Sequence, residues 1–560
     1  MISSTIKCLE TTHSIDDPTT IRRSANYQRS IWDFDFVQSL KSDYKGETYK
    51  SKTKKLEEEV RHRFDDDGAM GQLGLLELID DIERVGLGYL FEEEIKKTLD
   101  TIVCMEDIKE GLHATALRFR LLRQHGYEVN QDTFNHLKDE MDNYMAGYLA
   151  DVNGILSLYE ASHLAAEGES ILEEAKHFTR TALKGMKGNI DPNLAKQVNH
   201  ALELPLHKRI TKLEARWYMD IYQRKEKSIP ALNQLAKLDF NIVQGIHQED
   251  AADLSRWWKN LGLGDQFEFI RDSLIPCVLW TIGLNPEPQF SNFRKELTKV
   301  GMLITMIDDV YDVYGTLEEL ELFTDAVERW DVKAIGQLPD YMKTCFLALF
   351  NNVNEMAYFH LKEHGIDSIP FLKKAWIDLC KSYLVEAKWY YNGHKTTLQE
   401  YLNNAVISIG CNVILIHCFF ALRQTIREEA LDCVSQNLNI SCCSLMIVRL
   451  ANDLGTSKAE LERGDALKSI QSYMYETGAS EDMAREHISH MIDETWKKMN
   501  TDVIKNEFLL SQPFIKTTVN LARTSLCIYQ YGDGHGVFDD ESKNRAESLL
   551  FEPIPLLMDA

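Results

Sequence analysis

Three aspartates, Asp308, Asp309 and Asp312, follow an apolar run at residues 300–307 that should be buried. Read as a helix at about 100° per residue, Asp308 and Asp312 point about 40° apart, and Asp309 lies beside them. Carboxylates that converge on one spot repel each other unless a cation joins them. Oxygen ligands favour Mg²⁺ or Mn²⁺, and Mg²⁺ is usually held by one or two carboxylates together with phosphates. The segment therefore predicts a divalent-metal site at one end of a pocket.

A second run of oxygen-bearing side chains lies much further along the chain. Asn452, Thr456 and Glu460 follow one another at intervals of four residues. On a helix these positions drift by about 80° over about 12 Å, so an amide, a hydroxyl and a carboxylate share one face. Either segment alone also fits a solvated helix face. Both together, with basic residues alongside, predict a clamp of several metal ions on a diphosphate.

The segments that must position these residues carry helical periodicity. Leu56, Val60 and Phe64, for example, recur every four residues. No proline lies between Pro18 and Pro192, which permits long helices there. No run of short alternating strands and no βαβ rhythm is found. The sequence therefore predicts an all-α fold.

The best candidate for a domain boundary is the tripeptide Ser228-Ile229-Pro230. Serine can cap a helix there, and proline fits the first turn of the helix that follows. We therefore expect two helical domains, over residues 22–228 and 229–560. Residues 1–21 should form a disordered N-terminal segment.

Composition narrows the classes of function. The 560 residues include 62 Lys and Arg against 87 Asp and Glu, a net charge of −25. This balance argues against nucleic acid as a partner, where a basic stripe is expected. The most apolar stretch, residues 406–422, contains Ser408, Asn412 and His417, so it predicts a buried helix rather than a membrane span. Eleven cysteines without a CxxC pattern indicate reduced thiols in an intracellular compartment.

The DDxxD segment at residues 308–312 and the second ladder together resemble the paired metal-binding motifs of the class I terpene synthases, in the order found in plants. The resemblance runs from Arg22 nearly to the last residue. It implies an N-terminal α-barrel without an active site and a C-terminal class I terpenoid synthase α-bundle that carries the chemistry. It also implies three Mg²⁺ ions, for which Mn²⁺ can substitute, and a prenyl diphosphate whose allylic C–O bond is ionised.

Near the N-terminus, Arg22-Arg23 and Trp32 match the RRx8W motif of plant monoterpene synthases. In that family the N-terminal strand folds over the mouth of the active site, so Arg22, Arg23 and Trp32 are implied to belong to a lid. The motif favours geranyl diphosphate, a ten-carbon substrate. The first 21 residues are acidic for an organelle transit peptide. The resemblance therefore implies a plastid enzyme whose transit peptide is absent or removed, or a cytoplasmic one if the N-terminus is native.

The resemblance also implies roles for single residues. The metal ligands would be Asp308, Asp312, Asn452, Thr456 and Glu460. Ionisation of the substrate would depend on Asp308, Asp309, Asp312, Arg271 and Arg449. The diphosphate would be held by Arg271, Arg449, Asn452 and Lys468. The pocket around the carbocation would be lined by Trp280, Gly410, Phe419, Tyr529 and Asp533, with aromatic faces that stabilise the cation.

One departure from the family pattern concerns the segment Arg271-Asp272-Ser273. The family usually has a second arginine where this chain has Ser273, so the diphosphate would be held less firmly after it leaves. This slightly favours an acyclic product over a cyclic one. Pro276 follows inside an apolar helical run, where we expect it to kink the helix.

Several alternatives remain open from the sequence. A sesquiterpene synthase acting on farnesyl diphosphate and an isoprene synthase share the motifs. A chain-elongating prenyltransferase fits less well, because those enzymes carry two DDxxD motifs. A catalytically silent helical protein that binds diphosphate is the alternative from another class. We expect no nucleic acid and no membrane partner, and either a monomer or a homodimer.

Overall fold

The computed structural model consists of helices joined by short connections. It describes residues 22, 30–65, 67–105, 111–135, 151–186, 190–422, 428–435, 438–463, 466–505, 510–536 and 539–556. No strand occurs in this described part of the chain, which confirms the all-α prediction. The segment 1–21, predicted to be disordered, lies outside the described residues.

The helices before residue 229 form a first bundle. They are α1 (Phe34–Ser39), α2 (Glu47–Arg61), α3 (Asp67–Arg84), α4 (Glu92–Val103), α5 (Leu112–Gln124), α6 (Val152–Ser162), α7 (Ser170–Gly185), α8 (Pro192–Glu203) and α9 (Thr211–Tyr222). Short 3₁₀ turns lie at His62–Phe64, Gly88–Leu90, Gln131–Phe134 and Leu206–Lys208. The apolar faces of α2 to α9 enclose one core, in which Ile79, Phe119 and Leu158 are buried, whereas α1 packs through Val37 into a separate small core. Removing this surface from water is what holds the bundle together.

The helices after residue 229 form a second bundle, whose larger core receives side chains from all of them except the last, at residues 540–550. They are α10 (Pro230–Leu261), α11 (Leu263–Gln266), α12 (Leu274–Leu284), α13 (Ser291–Asp309), α14 (Leu317–Arg329), α15 (Asp340–His364), α16 (Ile369–Asn392), α17 (Leu398–Ser408), α18 (Cys411–Ala421), α19 (Glu428–Ser435), α20 (Asn439–Arg463), α21 (Ser469–Thr477), α22 (Glu481–Lys505), α23 (Gln512–Ile528) and α24 (Asp540–Leu550). Further 3₁₀ turns lie at Pro288–Phe290 and Val332–Gln337. Large side chains such as Trp376, Phe346 and Phe323 fill this core.

Helix α10 links the two bundles. It begins at Pro230 with Ile229 as its N-cap, so the expectation that Ser228 caps the helix is wrong. Proline fits this first position because its missing N–H has no partner there in any case. The first third of α10, including Phe240, packs into the first core. The boundary at residues 228 and 229 therefore stays a prediction, since this helix serves both sides of it.

One sequence expectation about apolar helices is wrong, and another holds in part: residues 406–422 are buried as expected, but they form two helices rather than one. Pro276 does not kink a helix, because α12 begins at Leu274 and the proline lies in its first turn. The apolar stretch at 406–422 is two helices, α17 and α18, separated by Gly410 in the left-handed region at φ 77°. By length and composition Leu398–Ala421 could cross a membrane, but 72% of its most apolar window is buried inside the protein. It reads as core helices of the second bundle.

Candidate active site

A cavity of about 530 Å³ opens within the second bundle. Its polar end is lined by side chains from α13 and α20, and its apolar end by α12, the α17–α18 junction and α23. The residues predicted from sequence that line this cavity are Arg271, Trp280, Asp308, Asp312, Gly410, Arg449, Asn452, Thr456, Glu460, Lys468, Tyr529 and Asp533. The fold thus brings together residues that lie more than 200 positions apart in the chain.

The aspartate-rich segment ends α13 and continues into a π-helical turn. The α-helix runs to Asp309, and the wider turn Val310–Tyr314 closes where the Gly315 N–H donates to the Val310 carbonyl at 2.8 Å. Such wider turns inside helices are frequent at functional sites. Asp308 and Asp312 both line the cavity. Two carboxylates therefore reach one polar end of it, as their spacing predicts.

Asp309 does not line the cavity, although the sequence placed it beside its neighbours. Its side chain is 0% exposed and points away from the pocket. One carboxylate oxygen accepts the backbone N–H of Arg271 at 2.9 Å, and the other lies 2.9 Å from the Arg271 Nε. The reason is the helical step of about 100°, which turns the residue after Asp308 toward the core. Asp309 therefore positions Arg271 and does not offer a ligand to the cavity.

Arg271 bridges two of the aspartates. Its guanidinium also donates to the Asp308 carboxylate on the cavity side. The neighbouring Ser273, which replaces an arginine of the family pattern, is buried at the N-cap of α12 and does not line the cavity. Arg271 is thus the basic residue of this segment that reaches the polar end.

The second ladder lies on α20 and is surrounded by buried cations. Asn452, Thr456 and Glu460 all line the cavity. The Arg449 guanidinium donates to the Asn452 Oδ1 at 3.0 Å and lies 3.4 Å from the Asp453 carboxylate. Burial alone would lower the pKa of Arg449, but Tyr401 and Asp453 raise it well above its ordinary value. The cation is therefore permanently charged at the polar end.

The apolar end of the cavity is partly aromatic. The rings of Trp280 and Tyr529 lie 6.0 Å apart, centroid to centroid. Gly410 interrupts the wall, and a Cβ on it would come within 2.7 Å of the Ile304 Cγ2 atom. Only glycine adopts its left-handed backbone without strain. The helix α17 consequently ends at the cavity, where the last carbonyl groups of a helix have no intrahelical donor.

Phe419 was expected in this pocket, and the structure contradicts that expectation. It is buried in the second core, with its ring 5.7 Å from Phe514 and 5.3 Å from Phe420. Helix α18 lines the cavity through Cys411 and Ile414 instead. Five residues after Ile414 the helix has turned by about 140°, so the Phe419 ring faces away from the cavity.

The N-terminal residues of the RRx8W motif divide between two places. Arg22 donates to both Glu319 carboxylate oxygens at 2.9 and 3.0 Å and to the Tyr314 carbonyl at 3.0 Å. It thereby contacts the turn that carries Asp312. Trp32 lies in a small core instead, packed on Phe551 at 5.6 Å between ring centroids. Arg23 lies outside the described residues.

Sequence reasoning missed Glu386 and His535, which both line the cavity. Glu386 lies on α16 at i+7 from Leu379 and i+3 from Tyr383, both buried, so its position on an apolar stripe was a readable signal. The His535 Nε2 lies 3.3 Å from the Thr305 hydroxyl. Burial, and then the charge of Arg271, lower the pKa of His535 to about 4. This imidazole is therefore neutral near pH 7.

The donor atoms at the polar end suit a hard divalent cation. Asp308 and Asp312 offer carboxylate oxygens, and Asn452, Thr456 and Glu460 offer an amide, a hydroxyl and a carboxylate oxygen. Among the described residues no group of three or more His, Cys, Asp or Glu is placed to hold a metal ion. Mg²⁺ does not need such a group, because it is usually held by one or two carboxylates and keeps positions for substrate phosphates. The residues present therefore fit the metal that the sequence implies.

Known protein families and individual proteins match most of this chain. Residues 31–202 match the terpene synthase N-terminal domain, and residues 259–498 match the metal-binding domain of the terpene synthase family. The chain is 51% identical to an alpha-thujene synthase of Litsea cubeba, over 99% of this chain and 95% of that protein. It is 51% identical to a myrcene synthase of Quercus ilex, over 99% and 93% of the two chains.

Solved structures agree in fold. A limonene synthase with 2-fluorolinalyl diphosphate superposes with a TM-score of 0.93 at 40% identity, covering 96% of this chain and 100% of that one. Isoprene synthase from grey poplar, with three Mg²⁺ ions and dimethylallyl-S-thiolodiphosphate, gives 0.86 at 47% identity, covering 94% and 99%. The chain therefore belongs to the terpene synthase family and is a divalent-metal-dependent lyase acting on prenyl diphosphates.

Proposed function

We propose that this protein is a Mg²⁺-dependent monoterpene synthase that ionises geranyl diphosphate and quenches the allylic cation to a monoterpene. The observation that carries the proposal is the cavity itself. Its polar end combines the two oxygen ladders with three cations, Arg271, Arg449 and Lys468, and its other end is apolar. A diphosphate suits the first end and a hydrocarbon chain suits the second.

The metal ions would be held by Asp308 and Asp312 on α13 and by Asn452, Thr456 and Glu460 on α20. When bound, they supply the positive charge that stabilises a departing diphosphate. We propose three Mg²⁺ ions, with Mn²⁺ as a substitute.

The side chains of the polar end hold the leaving group. Arg271, Arg449 and Lys468 present N–H donors, which bind phosphate oxygens more strongly as negative charge develops on them. Lys468 is charged at neutral pH, since Glu386 and Glu460 raise its pKa well above the ordinary value in spite of burial. The allylic C–O bond can therefore break without a protonating acid.

The apolar end protects and steers the cation. The faces of Trp280 and Tyr529 stabilise positive charge by about 0.5–2 kcal/mol each. The carbonyl groups at the end of α17 add a further negative potential beside Gly410. The contacts with Glu319 and Tyr314 hold the Arg22 side chain at the aspartate-rich turn. We propose, as the RRx8W motif implies, that the N-terminal segment acts as a lid that excludes water.

Two narrower choices belong to the same proposal. The Arg22-Arg23 and Trp32 motif supports a ten-carbon substrate over farnesyl diphosphate. Because Ser273 stands in place of a second arginine, we favour an acyclic product such as geraniol, linalool, myrcene or ocimene. Relatives named as chloroplastic support a plastid location. That the protein is a monomer or a homodimer stays a prediction.

The test is an incubation of the purified protein with Mg²⁺ and, separately, dimethylallyl, geranyl and farnesyl diphosphates, with volatiles identified by gas chromatography and mass spectrometry. We expect a ten-carbon product from geranyl diphosphate alone. A fifteen-carbon product alone would make the protein a sesquiterpene synthase, and a five-carbon product alone an isoprene synthase. No product from any substrate would favour the catalytically silent protein.

A further inference from the structure

A buried chain of hydrogen bonds joins Glu386 to two cations at the polar end of the cavity. One Glu386 carboxylate oxygen accepts from the Ser408 hydroxyl, and from the Asn404 amide at 3.3 Å. The other lies 3.4 Å from the Lys468 ammonium. The Ser408 hydroxyl in turn accepts from the Arg449 guanidinium at 3.1 Å. A single carboxylate thus contacts Lys468 directly and Arg449 through one hydroxyl.

Burial makes this carboxylate strongly coupled to the cations. Glu386 is 6% exposed and Lys468 8% exposed, and both line the cavity. Burial would raise the pKa of Glu386, but Lys468 and Arg449 hold it below its ordinary value, so the side chain is charged near pH 7. A buried carboxylate of this kind needs its cationic partner, and the cation equally needs the carboxylate.

The pair with Lys468 is loose in geometry. Charge-assisted N–H···O bonds normally span about 2.7–2.9 Å, and the Lys468 to Glu386 separation is 3.4 Å. Arg449 differs, because it also has the Asp453 carboxylate 3.4 Å away and donates to the Ala405 carbonyl at 3.0 Å. A flexible ammonium held at this distance can turn toward a second anion in the cavity.

We propose that Glu386 is a positioning residue that competes with the diphosphate for Lys468 and thereby sets how tightly the leaving group is held. This inference rests on the proposed function, in which Lys468 binds the diphosphate. With the cavity free of anion, Glu386 neutralises the ammonium and keeps it in place. With a diphosphate bound, the same carboxylate repels the anion and weakens its hold, which favours release of the product diphosphate.

We expect the variant Glu386→Gln to bind diphosphate more tightly than the wild type, which is unusual for a change inside a binding site. Glutamine keeps the shape of the side chain, offering an oxygen to Lys468 and an amide to Ser408, but it removes the charge. The ammonium then lacks its nearest counter-charge, and the repulsion of the anion is also gone. Both changes favour diphosphate binding, and we expect the affinity to rise by about tenfold. If Glu386 merely supported the fold, altering it would weaken the binding of diphosphate.

The test is isothermal titration calorimetry of the full chain with inorganic diphosphate at saturating Mg²⁺. We expect Glu386→Gln to lower the Kd by about tenfold and Lys468→Met to raise it. In the double variant, Glu386→Gln should tighten binding less than it does when Lys468 is present, because only the relief of repulsion remains once the ammonium is gone. Asn404→Ala is the matched control: it disturbs the same carboxylate without altering charge, and the Kd should stay within about twofold.

The other possible results show whether the proposed function is wrong or only the role of Glu386. No binding by the wild type, or no effect of Lys468→Met, would overturn the proposed function at this residue. If the wild type binds and Lys468→Met weakens binding, an unchanged or raised Kd in Glu386→Gln would overturn the inference alone. A tightening by Asn404→Ala equal to that of Glu386→Gln would also overturn it. Should Glu386→Gln fail to fold, Glu386→Asp moves the charge back by one methylene, and an unchanged or raised Kd there would equally refute it.

Discussion

Replacing Asp309 and Asp312 in turn should separate two functions within the DDxxD motif, which are the positioning of Arg271 and the binding of metal. Asp309 is fully buried and binds the backbone and guanidinium of Arg271, whereas Asp312 lines the cavity. Asp309→Asn keeps the volume and removes the charge. It leaves Arg271 beside a neutral partner in a partly buried position. Asp312→Asn removes one of two like charges that converge on the cavity.

The loss of stability expected for Asp309→Asn follows from the burial of this ion pair. Breaking a buried ion pair by removing one partner costs about 3–5 kcal/mol, because the other charge is left uncompensated. Arg271 keeps its contact with Asp308, so we take the lower end, about 3 kcal/mol. In a chain of 560 residues this lowers the apparent Tm by about 3 °C. For Asp312→Asn we expect a change of about 1 °C or less.

The assay is a thermal unfolding scan at one fixed rate, without metal and then with Mg²⁺ and inorganic diphosphate. Asp309→Asn should start low and still be stabilised by the ligands, since its cavity carboxylates are intact. Asp312→Asn should start at the wild-type Tm, gain little from the ligands and lose turnover by about 100-fold. Equal Tm values for Asp309→Asn and the wild type would refute the positioning role, as would a loss of Tm in Asp312→Asn as large as in Asp309→Asn.

Three further predictions concern the lid, the aromatic residues and acid stability. Arg22→Ala removes the contacts with Glu319 and Tyr314 and should lower kcat/KM by about tenfold in steady-state kinetics, while the Tm changes little; unchanged kinetics would remove Arg22 from the lid. Trp280→Leu should reduce turnover by about tenfold, whereas Phe419→Leu should lower stability and leave the product mixture unchanged; a changed mixture in Phe419→Leu would place that ring at the cation. Burial, followed by Arg523 for His207 and His360 for His417, lowers the pKa of both imidazoles to about 3. The unfolded chain therefore takes up protons that the folded one does not, so this stability is complete above pH 6.5 and falls by about 1 kcal/mol per histidine at pH 5.5. Tm values at pH 7.5 and 5.5 check this, and the variant His417→Gln should narrow the difference.

Much of the site could be predicted because its residues follow helical spacing. Asp308 and Asp312, and likewise Asn452, Thr456 and Glu460, share a face by their intervals alone, and the cavity contains all five. The meeting of the two faces could not be derived from spacing. It depends on how α13 and α20 are placed by the buried core between them. Resemblance to a known family supplied that step.

The residues that the sequence misplaced or overlooked were missed for equally local reasons. Asp309 was grouped with its neighbours because the motif gives no direction, and one step of the helix turns it toward Arg271. Phe419 looked like an aromatic of the pocket, but the break at Gly410 sets the phase of α18 and turns its ring into the core. Glu386 was overlooked since its carboxylate stands outside every motif. Its partners, Ser408 and Lys468, come from distant helices that only the fold brings close.

The central claim is that the two oxygen ladders hold divalent metal around a diphosphate. It is tested most directly by a crystal structure with Mn²⁺ and inorganic diphosphate, in which anomalous scattering locates the metal. The account predicts Mn²⁺ peaks beside Asp308 and Asp312 and also beside Asn452, Thr456 and Glu460, with the diphosphate between them and in contact with Lys468. Peaks at only one ladder, or a diphosphate bound away from both, would contradict it.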